Sequence, residues 1–269
     1  MQITVEHTST YRFESPRMRV VQSHKLTPAS NGGQSVSDWD VSVDGASFGA
    51  GFRDGAGDNV CLMTLPGPVS EIAIRVKGSV TTEDTSGILM KHKEVVAPRV
   101  YLRSTWTTAP GIGLRALAQR VSSRKAGTLE GAHDLMGIVA EEIAYVPGST
   151  HADMTAAEVE EQGRGVCQDQ THVLITLARI LGMPARYVTG YLFADAEGNS
   201  HEASHAWAEI HVADLGWVGF DATNQCCPDD RYIRVCSGMD AQDAAPIRGI
   251  SLGSGDESLD ISVSVAAQQ

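Results

Sequence analysis

The hydrophobic periodicity of this 269-residue chain changes once, near residue 97. Before that point, apolar side chains recur at every second position of short segments such as Val36–Val43 and Ile72–Val76. Turn signals such as Asn31-Gly32-Gly33 separate these segments. A period of two is typical of a β-strand with one buried face. The pattern therefore predicts an antiparallel, β-sandwich-like domain over residues 1–97.

Residues 98–269 mix helical and strand-like segments. Leu114, Leu117, Ala118 and Val121 recur at helical spacing, as do the apolar residues of the segment that follows. A longer helix is predicted to begin near Val166 or Cys167 and to end at Gly182-Met183-Pro184, where glycine and proline stop it. The three strand candidates after it are Ala185–Phe193, His205–Val212 and Trp217–Asp221. These segments predict an α+β core of helices packed on an antiparallel sheet.

Composition excludes several classes of protein. The net charge of −12 argues against a general binder of nucleic acid or of anionic membranes. No stretch approaches the roughly 20 apolar residues of a membrane helix, and the first residues alternate like a strand rather than a signal peptide. The five cysteines are an odd number without a regular framework, as in a reducing compartment. A cytoplasmic location is the expectation.

A thiol, an imidazole and a carboxylate follow one another at the edges of predicted elements: Cys167, His205 and Asp221. Cys167 stands where Gly163-Arg164-Gly165 enters a helix, whose first N–H groups and partial positive charge favour a thiolate and a developing oxyanion. The glycines would also let the backbone approach a substrate closely. An imidazole can take the proton of a thiol, and a carboxylate can orient the imidazole. A buried structural cysteine is the alternative.

The connection between the last two strand candidates tests whether His205 and Asp221 can meet. If Asp221 lies opposite Trp207 around a three-residue loop, His205 and Asp221 share a face as diagonal neighbours about 7–8 Å apart. A slip of one residue would place them on opposite faces. The geometry is permitted by the sequence and is not demanded by it.

Metal sites are poorly supported. Cys167 and His172 lie about 140° apart around a helix, so their side chains cannot bind the same metal ion. The cysteines at 226, 227 and 236 lack the paired C-x-x-C spacing of structural zinc. His201 and His211 are interpreted as solvated or hydrogen-bonded side chains rather than as ligands with His205. We therefore predict no metal and no cofactor.

Four motifs follow one another in the second part of the chain. They are Gly165-Val166-Cys167-Gln168-Asp169, Pro184-Ala185-Arg186-Tyr187-Val188-Thr189-Gly190-Tyr191, Ser204-His205-Ala206-Trp207-Ala208-Glu209 and Gly216-Trp217-Val218-Gly219-Phe220-Asp221-Ala222-Thr223-Asn224. Together they resemble the bacterial transglutaminase-like proteins of the papain-like cysteine-enzyme superfamily. Weaker similarity at His7-Thr8, Tyr11 and Asp58-Asn59 extends the resemblance to the β-rich N-terminal domain of that group. The resemblance implies a papain-like core over residues 98–269 behind that domain.

The resemblance also implies roles for three residues. Cys167 would be the nucleophile, His205 the general base and acid, and Asp221 the residue that orients His205. Gln170 stands where the group usually has an aromatic residue, and Ala222 where proline is common, but no catalytic atom is lost.

Chemistry of this class forms a thioester from an amide. Hydrolysis of a peptide or isopeptide bond in a protein or peptide substrate is the leading expectation, as in a cysteine protease. Transamidation to an amine and a non-catalytic peptide-binding module are the alternatives. The substrate, the role of the N-terminal domain and the oligomeric state stay open.

Overall fold

The computed structural model describes residues 1–151, 153–193 and 204–268. Within these ranges no helix is long and apolar enough to cross a membrane. The elements are β1 (Gln2–His24), β2 (Gln34–Val43), β3 (Ser47–Phe48), β4 (Phe52–Arg53), β5 (Asn59–Thr82), a 3-10 helix (Pro98–Leu102), α1 (Ile112–Ala118), α2 (Leu129–Glu142), β6 (Ala144–Tyr145), α3 (Ala156–Gln162), β7 (Arg164–Gly165), α4 (Cys167–Ile180), β8 (Ala185–Leu192), β9 (His205–Val212), β10 (Gly216–Phe220), β11 (Tyr232–Gly238), β12 (Ile247–Leu252) and β13 (Glu257–Gln268).

Two long strands, β1 and β5, organise the N-terminal sheet. They pair antiparallel along most of their length, and shorter strands add to each half of this ribbon. One apolar cluster draws on both halves of the ribbon, including Val20 and Met63 from one half and Phe13 and Ile74 from the other. The predicted β-rich domain is present. Its hydrogen bonding makes one continuous sheet of seven strands, so two separate sheets of a sandwich are not seen among the described residues.

The C-terminal part of the chain returns to this sheet. β12 pairs with the second half of β1, and β13 pairs with the first half. The sheet therefore includes residues that the sequence analysis assigned to the core over 98–269. The reason is the alternation of Leu259, Ile261, Val263 and Val265, which extends the apolar face of β1.

The core domain is a four-stranded antiparallel sheet in the order β10-β9-β8-β11, with helix α4 packed on β8 and β9. α1, α2 and α3 contact α4. Alternate residues of β9, namely Ala206, Ala208, Ile210 and Val212, face the helices and join one apolar cluster with them. The three predicted strands and the long helix are confirmed, and β11 adds a fourth strand. The class is therefore α+β.

A buried charge cluster, defined as Asp58, Glu94, Arg186, Glu209 and Arg234, joins the two domains. Arg234 Nη1 donates to Asp58 Oδ1 at 2.7 Å and its Nε donates to Glu209 Oε1 at 2.8 Å. Arg186 Nε donates to Glu209 Oε2 at 2.6 Å, and its Nη1 reaches Glu94. Arg186 and Asp58 are fully buried. Because isolated ions are costly to bury, the cluster depends on every partner being present.

We expect Asp58→Ala to lower the free energy of unfolding by about 3–5 kcal/mol, because Arg234 would stay buried with part of its charge uncompensated. Urea denaturation followed by tryptophan fluorescence measures the change. Asp44→Ala is the matched control, since the Asp44–Arg75 pair is exposed and should contribute little. Equal effects of the two variants would contradict this account of the interface.

Candidate active site

Helix α4 begins at Cys167, and the turn before it is held by Asp169. Asp169 Oδ2 accepts hydrogen bonds from the backbone N–H of Val166 at 2.8 Å and from Thr150 Oγ1 at 2.6 Å. A Cβ on Gly165 would lie 2.6 Å from the Cβ of Asp169, so only glycine fits there. Gly165 thus serves close packing under the turn, whereas the sequence analysis gave it an approach to substrate. The half-buried thiol of Cys167 stands at the helix N-terminus.

The hairpin of β9 and β10 brings His205 and Asp221 together. Gly216 pairs with Val212 and Phe220 with Ala208, which leaves a three-residue loop and sets Asp221 in register with Trp207. The hairpin therefore adopts the register that the sequence permits without demanding it. His205 Nε2 lies 2.6 Å from Asp221 Oδ2, and both side chains are almost completely buried.

The Asp221 carboxylate accepts more hydrogen bonds than the one from His205. Its Oδ1 accepts the backbone N–H groups of Thr223 at 3.0 Å and Asn224 at 3.2 Å. Its Oδ2 also accepts Asn224 Nδ2 at 2.7 Å and the Tyr232 hydroxyl at 2.8 Å. Burial acts to raise the pKa of Asp221, but His205, Asn224 and Tyr232 outweigh it and lower that pKa. Asp221 is therefore a fixed anion at neutral pH.

The same contacts determine the protonation of His205. Burial alone would lower its pKa, but hydrogen bonds to Asp221 and Cys167, with their charges, raise the pKa to about 10. The imidazole is thus an imidazolium at neutral pH. An imidazolium and a helix N-terminus both stabilise negative charge that develops beside them.

Gln170, the departure noted in the sequence, acts behind the site. Its Nε2 donates to the carbonyl of Ile143 at 2.7 Å, and its Oε1 accepts the Thr223 hydroxyl at 2.6 Å. The backbone N–H of Thr223 also donates to Asp221 Oδ1. Gln170 therefore connects α4 to the turn that carries the carboxylate. It is buried and does not line the cavity beside Cys167.

Sequence reasoning missed three residues of the site. Asn224 and Tyr232 support Asp221, and Asn224 stands in a recognised motif three residues after that carboxylate. Tyr145 lies on β6, whose partner β7 leads directly into α4. Burial raises the pKa of Tyr145, and the charges of Cys167 and Asp221 raise it further. Neither Tyr145 nor Tyr232 has a local motif that would single it out.

A cavity of about 470 Å³ opens beside Cys167 and His205. The core contributes Tyr187, Thr189 and Tyr191 to its lining, and the N-terminal sheet contributes residues from β1 and β13. This is the size and mixed polarity of a ligand pocket. Both domains therefore form the walls of one cleft.

The other candidates stay apart from this site. His172 is buried in α4, where its Nε2 accepts the backbone N–H of Ala241 at 3.0 Å, and burial lowers its pKa to about 4. His211 packs edge-on against Trp217. His201 lies outside the described residues. Within the described ranges, no three His, Cys, Asp or Glu side chains come together as a metal site.

The chain is similar to known proteins in both of its parts. Residues 115–222 match the family model of the transglutaminase-like superfamily, and residues 3–81 match the bacterial transglutaminase-like N-terminal region. An uncharacterized protein of Mycobacterium leprae is 29% identical over 97% of both chains. An uncharacterized protein of Mycobacterium tuberculosis is 35% identical over 49% of this chain and 45% of its own.

A solved structure shares the fold. It is that of a putative cysteine protease from Cytophaga hutchinsonii, with a TM-score of 0.76 and 21% identity. The match covers 99% of this chain and 90% of that one. The arrangement of both domains is therefore a known fold.

The raised pKa of His205 predicts how stability depends on pH. The folded-state pKa of about 10 exceeds the ordinary histidine value of 6.5, so the imidazolium stabilises the fold fully below pH 6.5 and loses this effect as pH rises toward 10. We expect the difference in free energy of unfolding between the wild type and Asp221→Asn to shrink over that window. Urea denaturation at several pH values measures it, with Asp44→Asn as the control. A difference that stays constant from pH 6.5 to 10 would refute the assignment.

Proposed function

We propose that this chain, whose two parts match the transglutaminase-like superfamily and the bacterial transglutaminase-like N-terminal region, hydrolyses peptide or isopeptide bonds through a cysteine nucleophile. One observation carries the proposal: His205, hydrogen-bonded to Asp221 at 2.6 Å through Nε2, lines the same cavity as the thiol of Cys167 at the start of α4. This supports a nucleophile, an acid–base group and an orienting group in the required order.

In the proposed reaction, the Cys167 thiolate attacks the carbonyl carbon of the substrate amide. The negative charge that develops on the carbonyl oxygen is stabilised by N–H groups at the start of α4. The His205 imidazolium then donates its proton to the leaving amine, and the C–N bond breaks to give a thioester. Neutral His205 next takes a proton from water, the hydroxide displaces the sulfur, and a carboxylic acid leaves with Cys167 restored.

Asp221 acts on His205 and not on the substrate. It holds the imidazole through Nε2. The other ring nitrogen, Nδ1, is the one proposed to exchange protons with the sulfur and the leaving amine. The further hydrogen bonds from Asn224 and Tyr232 keep the carboxylate ionised and stationary while His205 changes charge. A site of this kind needs no metal to activate its nucleophile.

Water is the proposed acceptor of the acyl group. An amine that competes with water needs a partly dry second channel, for which aromatic walls are suited. Three aromatic residues near the motifs, Trp207, Trp217 and Phe220, are at most 5% exposed and do not line the cavity beside Cys167, which leaves Tyr187 and Tyr191 there. This supports hydrolysis over transamidation, which is the second candidate. The intact contacts among Cys167, His205 and Asp221 favour an enzyme over a peptide-binding module.

The proposed cellular location rests on the state of the cysteines. All five cysteines are free thiols. Cys226 and Cys236 lie within hydrogen-bond distance of polar groups. Free thiols suit a reducing compartment, so we propose the cytoplasm, with a protein or peptide as substrate.

Cys167 should react with iodoacetamide at neutral pH at least tenfold faster than the other cysteines. Burial raises the pKa of Cys226 and of Cys236, and burial with the neighbouring Cys226 raises that of Cys227 to about 11. Cys61 is the matched reference, because it is half-buried like Cys167 and the imidazole opposite it, His24, is neutral, since burial lowers the pKa of His24 to about 4. Peptide mass spectrometry at limiting reagent gives the rates. Equal labelling of Cys61 and Cys167 would remove the basis for a thiolate nucleophile.

Hydrolysis and transamidation can be separated in one incubation. The protein is mixed with a glutamine-containing peptide mixture and a labelled primary amine, and both new termini and incorporated label are quantified. We expect new termini to exceed incorporated label, and both signals to vanish in Cys167→Ala but not in Cys61→Ala. Cys167-dependent incorporation that exceeds hydrolysis would select the transferase instead.

A further inference from the structure

One face of the N-terminal sheet is buried at one end and exposed to solvent at the end that lies beside the cavity. On β13, Val265 and Val263 are 7% and 4% exposed, whereas Ile261 and Leu259 are 48% and 49% exposed. All four belong to one strand at alternate positions, so they point to the same side. The apolar pattern therefore continues beyond the part of the face that the rest of the chain covers.

The covered part of this face is the interface between the domains. Val263 and Val265 lie opposite His7 and Val5 of β1 and pack in one cluster with Tyr191 of the core. His7 Nδ1 is also 2.7 Å from the Tyr191 hydroxyl. The exposed part of the face is thus continuous with the interface between the domains, and this interface fixes the orientation of β13.

The open part also lines the cavity beside the thiol. Leu259 lies opposite Tyr11, and Ile261 lies opposite Ser9, so these side chains share the face. All four line the same cavity of about 470 Å³ as Cys167 and His205. We name Tyr11, Leu259 and Ile261 the cleft strip.

We propose that the cleft strip is an apolar subsite that takes a large aliphatic or aromatic side chain of the polypeptide substrate, close to the amide that Cys167 attacks. The inference rests on the proposed function for its substrate. Two half-exposed aliphatic side chains beside a reactive thiol gain free energy when an apolar group removes them from water. The N-terminal domain would then select substrates as well as complete the fold.

The matched variants are Leu259→Thr/Ile261→Thr in the strip and Ile250→Thr/Leu252→Thr on β12. Ile250 and Leu252 are 77% and 66% exposed and lie outside the cavity wall that the strip forms. Threonine keeps the strand preference of the residues it replaces, so both variants are expected to fold. Thermal unfolding and sedimentation velocity check the fold and the oligomeric state of each.

The primary readout does not depend on turnover. Rates of Cys167 alkylation are measured with iodoacetamide and with N-hexyl iodoacetamide, and the hexyl reagent is expected to react about tenfold faster or more in the wild type and in the β12 variant. In the strip variant this ratio should fall toward one while the iodoacetamide rate is unchanged. An equal ratio in all three proteins would overturn the subsite, and so would a self-association that only the strip variant loses.

The second readout is cleavage of a proteome-derived peptide mixture. Wild type and the β12 variant should enrich Leu, Ile, Val or Phe at one position near the cut, and the strip variant should lose that enrichment. Absence of Cys167-dependent cleavage with a high alkylation ratio would overturn the hydrolase proposal but support the apolar subsite. Cleavage with no apolar preference in the wild type would overturn the subsite alone.

Discussion

The buried contact of Arg234 with Asp58 and Glu209 is the interaction on which the arrangement of both domains depends. Each guanidinium or carboxylate in that cluster would be costly to bury alone, so the two domains can close only when their charges meet. Burial by itself would raise the pKa of Glu209, but Arg234 and Arg186 lower it to about 2. Glu209 is therefore ionised at neutral pH, and its protonation in acid would begin below the ordinary range of a glutamate.

This cluster connects the interface to the site through a single strand. Glu209 and His205 lie on β9, four residues apart, and their side chains share one face of the sheet. Gly190 stands opposite His205 on β8, and a Cβ there would lie 2.1 Å from the carbonyl oxygen of Ile233. The two arginines that bind Glu209 thus limit how far β9 can shift. The same contacts therefore help to fix the position of His205.

The sequence predicted the core better than the N-terminal sheet, for physical reasons. The strands of the hairpin could be predicted from a period of two, whereas its register was only one that the sequence permits. The start of a helix at Cys167 could be predicted from the glycine turn before it. The return of β13 to β1 could not, because a pairing between residues near opposite ends of the chain leaves no local signal. Asn224 and Tyr232 were missed since a second hydrogen bond to a carboxylate depends on tertiary contacts.

The pairing of β13 with β1 forms one wall of the cavity beside the thiol. The thiol, imidazole and carboxylate come from α4, β9 and the end of β10, within one contiguous part of the chain. The opposite wall of the cavity comes from β1 and β13, which meet only when the whole chain has folded. A core without the N-terminal sheet would keep the order of its three reactive groups but lose one wall of the cleft. The reactive groups and the surface that faces them are thus separate in sequence, and the surface can change by substitutions on β13 that leave Cys167 and His205 in place.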